Sequence, residues 1–403
     1  MALIRSITTV GGFTLISRIA GFVRDILFAA ILGAGPVADA FFVAFKFPNL
    51  FRRLFAEGAF SAAFVPTFSG LLVSAGDKIA RRFAEDALSV MLLALFVLVA
   101  LVEVFMPYAM MVIAPGFVSD PEKFGLAVEL ARITFPYLLF ISLVSLMGAV
   151  LNAHDRFAAA AASPIVLNMV LITAILGWGL FAKTPAHGLA WGVAAGGIFQ
   201  FIWLGFALGR DGIFLHLRMP RLTPEVKKLL RLMLPVALGA GVYQINILVD
   251  LVIGSLLPSG TISFLYYADR VNQLPLGVVG IAVATALLPL LARQIRAGNE
   301  AEALASQNRA VEFAMALTIP AAFALVAAAQ PIIIVLFGRG AFNEAAQTAT
   351  GWTLAAYALG LPAYVLVKIL STGYFAREDT KTPVKVAVIA LCINVVLNLV
   401  LMG

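Results

Sequence analysis

Long apolar runs, cut by short polar turns, dominate the chain from residue 8 onward. A helix needs about 20 mainly apolar residues to cross a bilayer. Breaking the sequence at charged or Gly/Pro-rich points predicts eleven spans, at roughly 8–31, 38–70, 87–113, 126–151, 158–182, 187–209, 229–257, 262–292, 310–336, 346–374 and 384–402. The runs are continuous and lack the alternation that barrel strands need, so the expected fold is an all-α polytopic membrane protein. A single Arg5 stands ahead of the first run, and no small-residue cleavage site follows a short apolar core. That predicts a retained span, not a cleaved leader.

Prolines recur along this pattern at a nearly fixed offset. Pro66 pairs with Pro289 (223 residues), Pro107 with Pro331 (224) and Pro136 with Pro362 (226), and Asn49 falls 223 before Asn272. AAFVPTF resembles ALLPLL around the first pair, and the polar turns LNAHDRF and GYFARED each lead to a proline, Pro164 and Pro383. A duplicated six-span unit is expected. An even number of spans makes the copies parallel, as in transporters with two rocking lobes around a central cavity. The predicted organisation is a six-helix lobe over 1–210, a cytoplasmic linker over 211–228 and a lobe of five helices over 229–403. Span 187–209 has no counterpart before Gly403, so further C-terminal sequence is expected to complete the second copy.

Composition narrows the class. Hydrophobic residues make up 62% and charged residues 12%, against about 45–50% and 25% in soluble domains. A soluble enzyme, a disordered chain and a nucleic-acid-binding domain are excluded despite a net charge of +7. One cysteine, Cys392, excludes a disulfide framework or a Cys-based metal site. His154, His187 and His216 fall at predicted loops or helix ends, so no buried histidine cluster is expected. With a cytoplasmic N-terminus, 17 Lys and Arg fall inside and 3 (Lys123, Lys183, Arg339) in outside loops, a positive-inside pattern. The outside loops are too short for a catalytic domain. No phosphate-binding glycine loop is present, so a transporter without ATPase chemistry is expected, not an enzyme.

Charges inside the spans carry the chemistry. The basic ones are Arg18, Arg24, Lys46, Arg52, Arg53, Arg132, Arg270 and Lys368; the acids are Asp25, Asp39, Glu57, Glu103, Glu129, Asp250 and Asp269. A charge at mid-bilayer costs about 2.5–3.5 kcal/mol even on the lenient insertion scale, so each must pair or face water. Ser17 and Arg24 share a helical face, as do Asn49 and Arg52. Arg18, Arg24, Arg52 and Arg270 form a set of guanidiniums without enough local carboxylates. Planar forks of this kind suit phosphate or pyrophosphate, so a cationic, watery cavity for a polyanion is expected. Asp250, with Asn394 and Asn398 four apart on one face, is a candidate Na⁺ site, or Asp250 alone a proton carrier. The alternative is an interhelical hydrogen bond that serves as glue.

Residues 17–66, SRIAGFVRDILFAAILGAGPVADAFFVAFKFPNLFRRLFAEGAFSAAFVP, resemble the start of the bacterial lipid II flippases (MurJ/MviN family). YYADRVNQLPLGVVGIAVATALLP at 266–289, ASPIVLN at 162–168 and GLAWG at 188–192 extend the resemblance over nearly the whole chain. It implies a multidrug/oligosaccharidyl-lipid/polysaccharide (MOP) exporter of the bacterial inner membrane. The implied substrate is lipid II, undecaprenyl-pyrophosphate-linked disaccharide pentapeptide, moved to the outer leaflet by alternating access for peptidoglycan synthesis and cell shape. By the same resemblance Arg18, Arg24, Arg52 and Arg270 are cavity arginines with Ser17 and Asn49 beside them, and Asp25, Asp39 and Glu57 are cavity or gate acids. Asp250, Asn394 and Asn398 resemble a cation site of some members. No cofactor is implied beyond Na⁺ or H⁺ coupling; membrane lipids and cell-wall synthesis proteins are candidate partners. The competing reading is a related exporter of another lipid-linked oligosaccharide or of cationic drugs, the latter needing a cavity of opposite sign. A glycan enzyme acting on the same lipid, or a scaffold with dispensable arginines, are the readings from other classes.

Overall fold

A computed structural model describes residues 2–402, apart from the side chains of residues 2–7, 54–57, 238–240, 242–243, 278, 281, 399 and 402. Among the described residues all regular secondary structure is helical, without strands. Contacts divide the chain into two compact units, Met1–Leu32 with Pro36–Ser259, and Gly33–Gly35 with Gly260–Gly403. Among the described residues eight helical stretches are long and apolar enough to cross a membrane, and each overlaps a predicted span. In the first helix three charged residues, Arg18, Arg24 and Asp25, fall close together.

The first unit begins with α1 (Ala2–Leu32) and α2 (Pro36–Phe51). α2 continues through a π-helical segment, Arg52–Phe60, into α3 (Ser61–Ala75). α4 (Asp77–Val104) and α5 (Met106–Ile113) are broken at Phe105, ahead of Pro107, and α6 (Pro121–Thr134) and α7 (Tyr137–Ala153) at Pro136. α8 (Phe157–Gly177), α9 (Pro185–Arg210) and α10 (Pro224–Leu256) follow. The second unit opens with α11 (Thr261–Pro275), a π segment Leu276–Ile281 and α12 (Ala282–Arg296). Then come α13 (Glu300–Ala327), α14 (Ala329–Phe337), α15 (Glu344–Ala376) and α16 (Lys381–Met402).

The proline offsets reappear as backbone features. Each unit has a π segment followed by a proline inside the next helix (Pro66, Pro289). Each then has a helix interrupted two or three residues before Pro107 or Pro331. Proline has no N–H and crowds the preceding turn, so such breaks fall where the sequence puts it. The third pair differs: Pro136 ends a helix, whereas Pro362 stays inside α15.

In the first unit α8 lies along both α1 and α9, and α7 packs on α9. In the second, α15 packs against α11, α12 and α13, burying Leu287, Leu291, Val365 and Ile369 together. Tyr267 is fully buried there between Phe337 and Phe342, and its hydroxyl donates to the Gly33 carbonyl at 3.0 Å. Gly33 has φ +72°, and a Cβ on it would stand 2.7 Å from the Ala341 carbonyl oxygen, so only glycine fits.

The linker expected at 211–228 is shorter, because Thr223 caps α10 and Pro224 starts it. Residues 213–223 carry no helix and are fastened to α4. Glu85 accepts from the His216 amide (3.1 Å) and meets the His216 ring Nδ1 (3.2 Å). Glu85 also binds the Arg218 guanidinium, and the Arg218 amide donates to Ser89 Oγ at 2.9 Å. Glu85→Gln is therefore expected to speed tryptic cleavage after Arg218 and Arg221 severalfold, read by mass spectrometry of timed digests; unchanged cleavage would mean that Glu85 does not fasten the strap.

α10 groups with the first unit, although the sequence puts its start at the head of the second lobe. It packs on the Arg52–Phe60 segment, α3 and the short turn Pro115–Ser119. Gly116 makes that approach possible: its amide donates to Ser255 Oγ at 3.1 Å, and a Cβ would stand only 2.0 Å from the Ser255 carbonyl oxygen.

Candidate functional site

Arg24 and Asp25 lie in the C-terminal half of α1 and are both buried. Arg24 Nε (3.0 Å) and Nη2 (2.7 Å) donate to the same Asp25 oxygen, Oδ1. The far edge of the guanidinium, Nη1, donates to Asn168 Oδ1 at 2.8 Å, and the Phe28 ring lies 5.3 Å away. Asn168 in turn donates from Nδ2 to the Ser17 carbonyl at 3.0 Å. The sequence puts Arg24 among arginines short of carboxylates; in the fold Asp25 already balances it. Low dielectric explains the pairing, since an isolated buried charge is far costlier than a bonded one. Arg18, by contrast, is exposed on α1, and Ser17 is half-buried.

Asn49 and Arg52 meet as their spacing predicts. Arg52 Nε donates to Asn49 Oδ1 (3.0 Å), and Asn49 Nδ2 donates to the Phe45 carbonyl (2.7 Å). Pro48, one residue earlier, cannot donate to the Ala44 carbonyl, and Thr134 Oγ1 from α6 does so instead at 2.9 Å. This substitution lets α2 carry a proline within the apolar layer and pass into the π segment beside Arg52. The side chain of Glu57 lies outside the described residues.

Asp39 sits in the first turn of α2, where the helix dipole favours a carboxylate. It is almost fully buried against Lys123, which the sequence assigns to an outside loop. Lys123 Nζ donates to Asp39 Oδ2 (2.9 Å) and Ser259 Oγ (3.1 Å) and lies 4.1 Å from the Phe117 ring centroid. The signal was readable: Asp120 accepts from the Lys123 amide as an N-cap and Pro121 occupies the first turn, so Lys123 is helical.

Asp250 is exposed on α10, accepts from Asn246 Nδ2 at 3.4 Å, and feels the charge of Lys46 on α2. Asn246 and Lys46 are neighbours of Asp250 that the sequence left out. Asn394 and Asn398 belong to the second unit, where Asn398 Nδ2 donates to Asn394 Oδ1 at 2.9 Å. Among the described residues no group of three or more His, Cys, Asp or Glu forms a metal cluster. Arg270, also in the second unit, is half-buried with its guanidinium 4.8 Å from the Tyr266 ring centroid, and Asp269 accepts from Gln273.

A bundle of two proline-marked helical units, with eight described helices long and apolar enough to cross a bilayer, defines a polytopic membrane protein. The same fold occurs in a solved structure described as the "Inward-facing conformation of a multidrug resistance MATE family transporter of the MOP superfamily". That match has a TM-score of 0.67 at 17% identity over 94% of this chain and 84% of the other. The family described as "Lipid II flippase MurJ" matches residues 28–403, and the chain belongs to it. A relative from Rhizobium meliloti (strain 1021), "Probable lipid II flippase MurJ", is 49% identical over all of this chain and 76% of its own length. A solved structure, "Lipid II flippase MurJ, inward closed conformation", superposes with a TM-score of 0.84 at 29% identity over 97% of this chain and 80% of that one.

Proposed function

We propose that this chain is a lipid II flippase that carries the undecaprenyl-pyrophosphate-linked glycopeptide from the inner to the outer leaflet of the bacterial inner membrane by alternating access. The observation that carries the proposal is the whole-chain identity to proteins named as lipid II flippases. In this reading Arg18, Arg24, Arg52 and Arg270 engage the pyrophosphate, and the polyprenyl tail stays in lipid. Guanidinium forks give charge-assisted, bidentate hydrogen bonds to phosphate oxygens. Asp25 holds Arg24 in a fixed pose, and Asn49 does the same for Arg52. The N-terminus is cytoplasmic on the Lys/Arg bias of the loops. Energy comes from the membrane potential, worth about 2.3 kcal/mol per charge per 100 mV, or from Na⁺ or H⁺ taken up near Asp250.

The test is flipping of headgroup-labelled lipid II by the purified chain in vesicles. Arg52→Ala, Arg24→Ala and Arg270→Ala are each expected to slow the appearance of label in the outer leaflet at least about tenfold, the scale of a lost charge-assisted contact. Wild-type rates in all three variants would overturn the proposed headgroup site. Absence of flipping by the wild-type chain, under potential and with either cation, would overturn the transport function.

A further inference from the structure

We infer that Asn168 is a positioning residue for Arg24: its side-chain amide fixes the guanidinium's pose and so sets how tightly the headgroup is held. The inference rests on the flippase function proposed above. Asn168 lies on α8, 144 residues from Arg24, and is buried with 5% exposure. Its two ends are both committed. Oδ1 accepts from Arg24 Nη1 at 2.8 Å, and Nδ2 donates to the Ser17 carbonyl at 3.0 Å. Turning the amide over would set its NH₂ against the guanidinium and its oxygen against the carbonyl, so the orientation is fixed by its surroundings.

Asp25 grips one edge of Arg24 through Nε and Nη2, and Asn168 grips Nη1. Held from both sides, the guanidinium cannot swing about its long side chain. The choice of amide is informative. A leucine of similar size would leave Nη1 without this acceptor in a dry site. An aspartate would accept equally well but bring a second carboxylate beside a cation that Asp25 already balances, and would face the Ser17 carbonyl oxygen. Asparagine orients the charge without neutralising it, and it ties that orientation to the seating of α8 on α1.

Two variants in the reconstituted full chain separate this role from plain packing. Asn168→Leu is expected to raise the lipid II concentration for half-maximal flipping about tenfold while the maximal rate changes less than twofold, because the pose of Arg24 is lost and the rest of the path is kept. Asn168→Asp has a pH signature. Protonated, its carboxyl offers the same acceptor to Arg24 and donor to Ser17 as the amide; ionised, it adds a negative charge and loses the donor. Flipping by this variant is expected to approach the wild-type rate at low pH and fall as pH rises through its titration, with the wild-type profile measured alongside. An unshifted half-maximal concentration in Asn168→Leu, or an Asn168→Asp profile parallel to the wild type, would overturn the inference. Should Asn168→Leu not fold, the Asn168→Asp profile decides alone. Arg24→Ala serves as the reference: if it flips normally, the headgroup site itself fails; if it is defective and the Asn168 variants are normal, only the role of Asn168 fails.

Discussion

Lys123→Met is expected to destabilise the detergent-solubilised chain by about 3–5 kcal/mol, the cost of removing one partner from a buried ion pair. Both side chains are nearly dry, at 5% for Lys123 and 2% for Asp39. The methionine fills most of the lysine's volume, so packing around Phe117 changes little and the loss is electrostatic. It leaves the Asp39 carboxylate without its cation and Ser259 Oγ without the ammonium donor. Replacing both charges, Asp39→Leu with Lys123→Met, is expected to cost clearly less than the sum of the single variants, because two desolvation penalties vanish with the attraction. Thermal and denaturant unfolding of the four proteins would complete the cycle. Additive single effects would show that the two charges do not support each other. The pair fastens α2 to α6 and to the turn after α10, so its loss should also loosen Gly116 against Ser255, visible as faster amide exchange at residues 114–119.

The long elements were legible because each is written locally. A run of apolar residues, a proline at a fixed place and a Thr-Pro or Asp-Pro start state a helix without reference to anything distant. Pro66 and Pro289 belong to this class, since a proline acts on its own turn; the π segments several residues ahead of them do not, and no local pattern states them. Charges were legible as present and as needing partners, but their partners were not. Arg24 shares a face with Ser17 by spacing, yet the residue that joins them, Asn168, sits on another helix, and no local pattern states which faces meet. Glu85 reads as an acid in a cytoplasmic loop, and only the fold brings His216 and Arg218 onto it. Lys123 falls outside the expected span because the apolar run alone starts it at 126; the Asp120 cap and Pro121 put the helix start earlier. The Asn394–Asn398 pair came out as spaced, being four apart on one helix, whereas the surroundings of Asp250 depend on α2 and were out of reach.

One further interhelical contact has a large consequence. Gly188, Gly192 and Gly196 recur every fourth residue of α9, the small-residue spacing that lets membrane helices approach closely. Cβ atoms added there would stand 2.6 Å from Trp178 Cβ, 2.6 Å from Ala174 Cβ and 2.5 Å from Leu167 Cδ1. The three clashes are not equal. Leu167 Cδ1 is the tip of a side chain that can rotate away, and alanine gains about 1 kcal/mol over glycine in a helix. Gly196→Ala should therefore be nearly neutral. Ala174 Cβ is fixed to its backbone, so Gly192→Ala can be accepted only by moving α8, at about 1–3 kcal/mol of overpacking less that same propensity gain. Gly192→Leu adds three more carbons to the same seam and is expected to force the helices apart. α8 also carries Asn168, so the displacement should reach Arg24. Gly192→Leu is expected to abolish lipid II flipping even in whatever fraction remains folded, whereas Gly196→Ala flips at the wild-type rate. Unfolding midpoints and flipping rates of the three variants, measured on the same preparations, test both halves. Equal effects of Gly192→Ala and Gly196→Ala would mean that the seam yields as easily at Ala174 as at Leu167, and that α8 is not held at the distance the two glycines define.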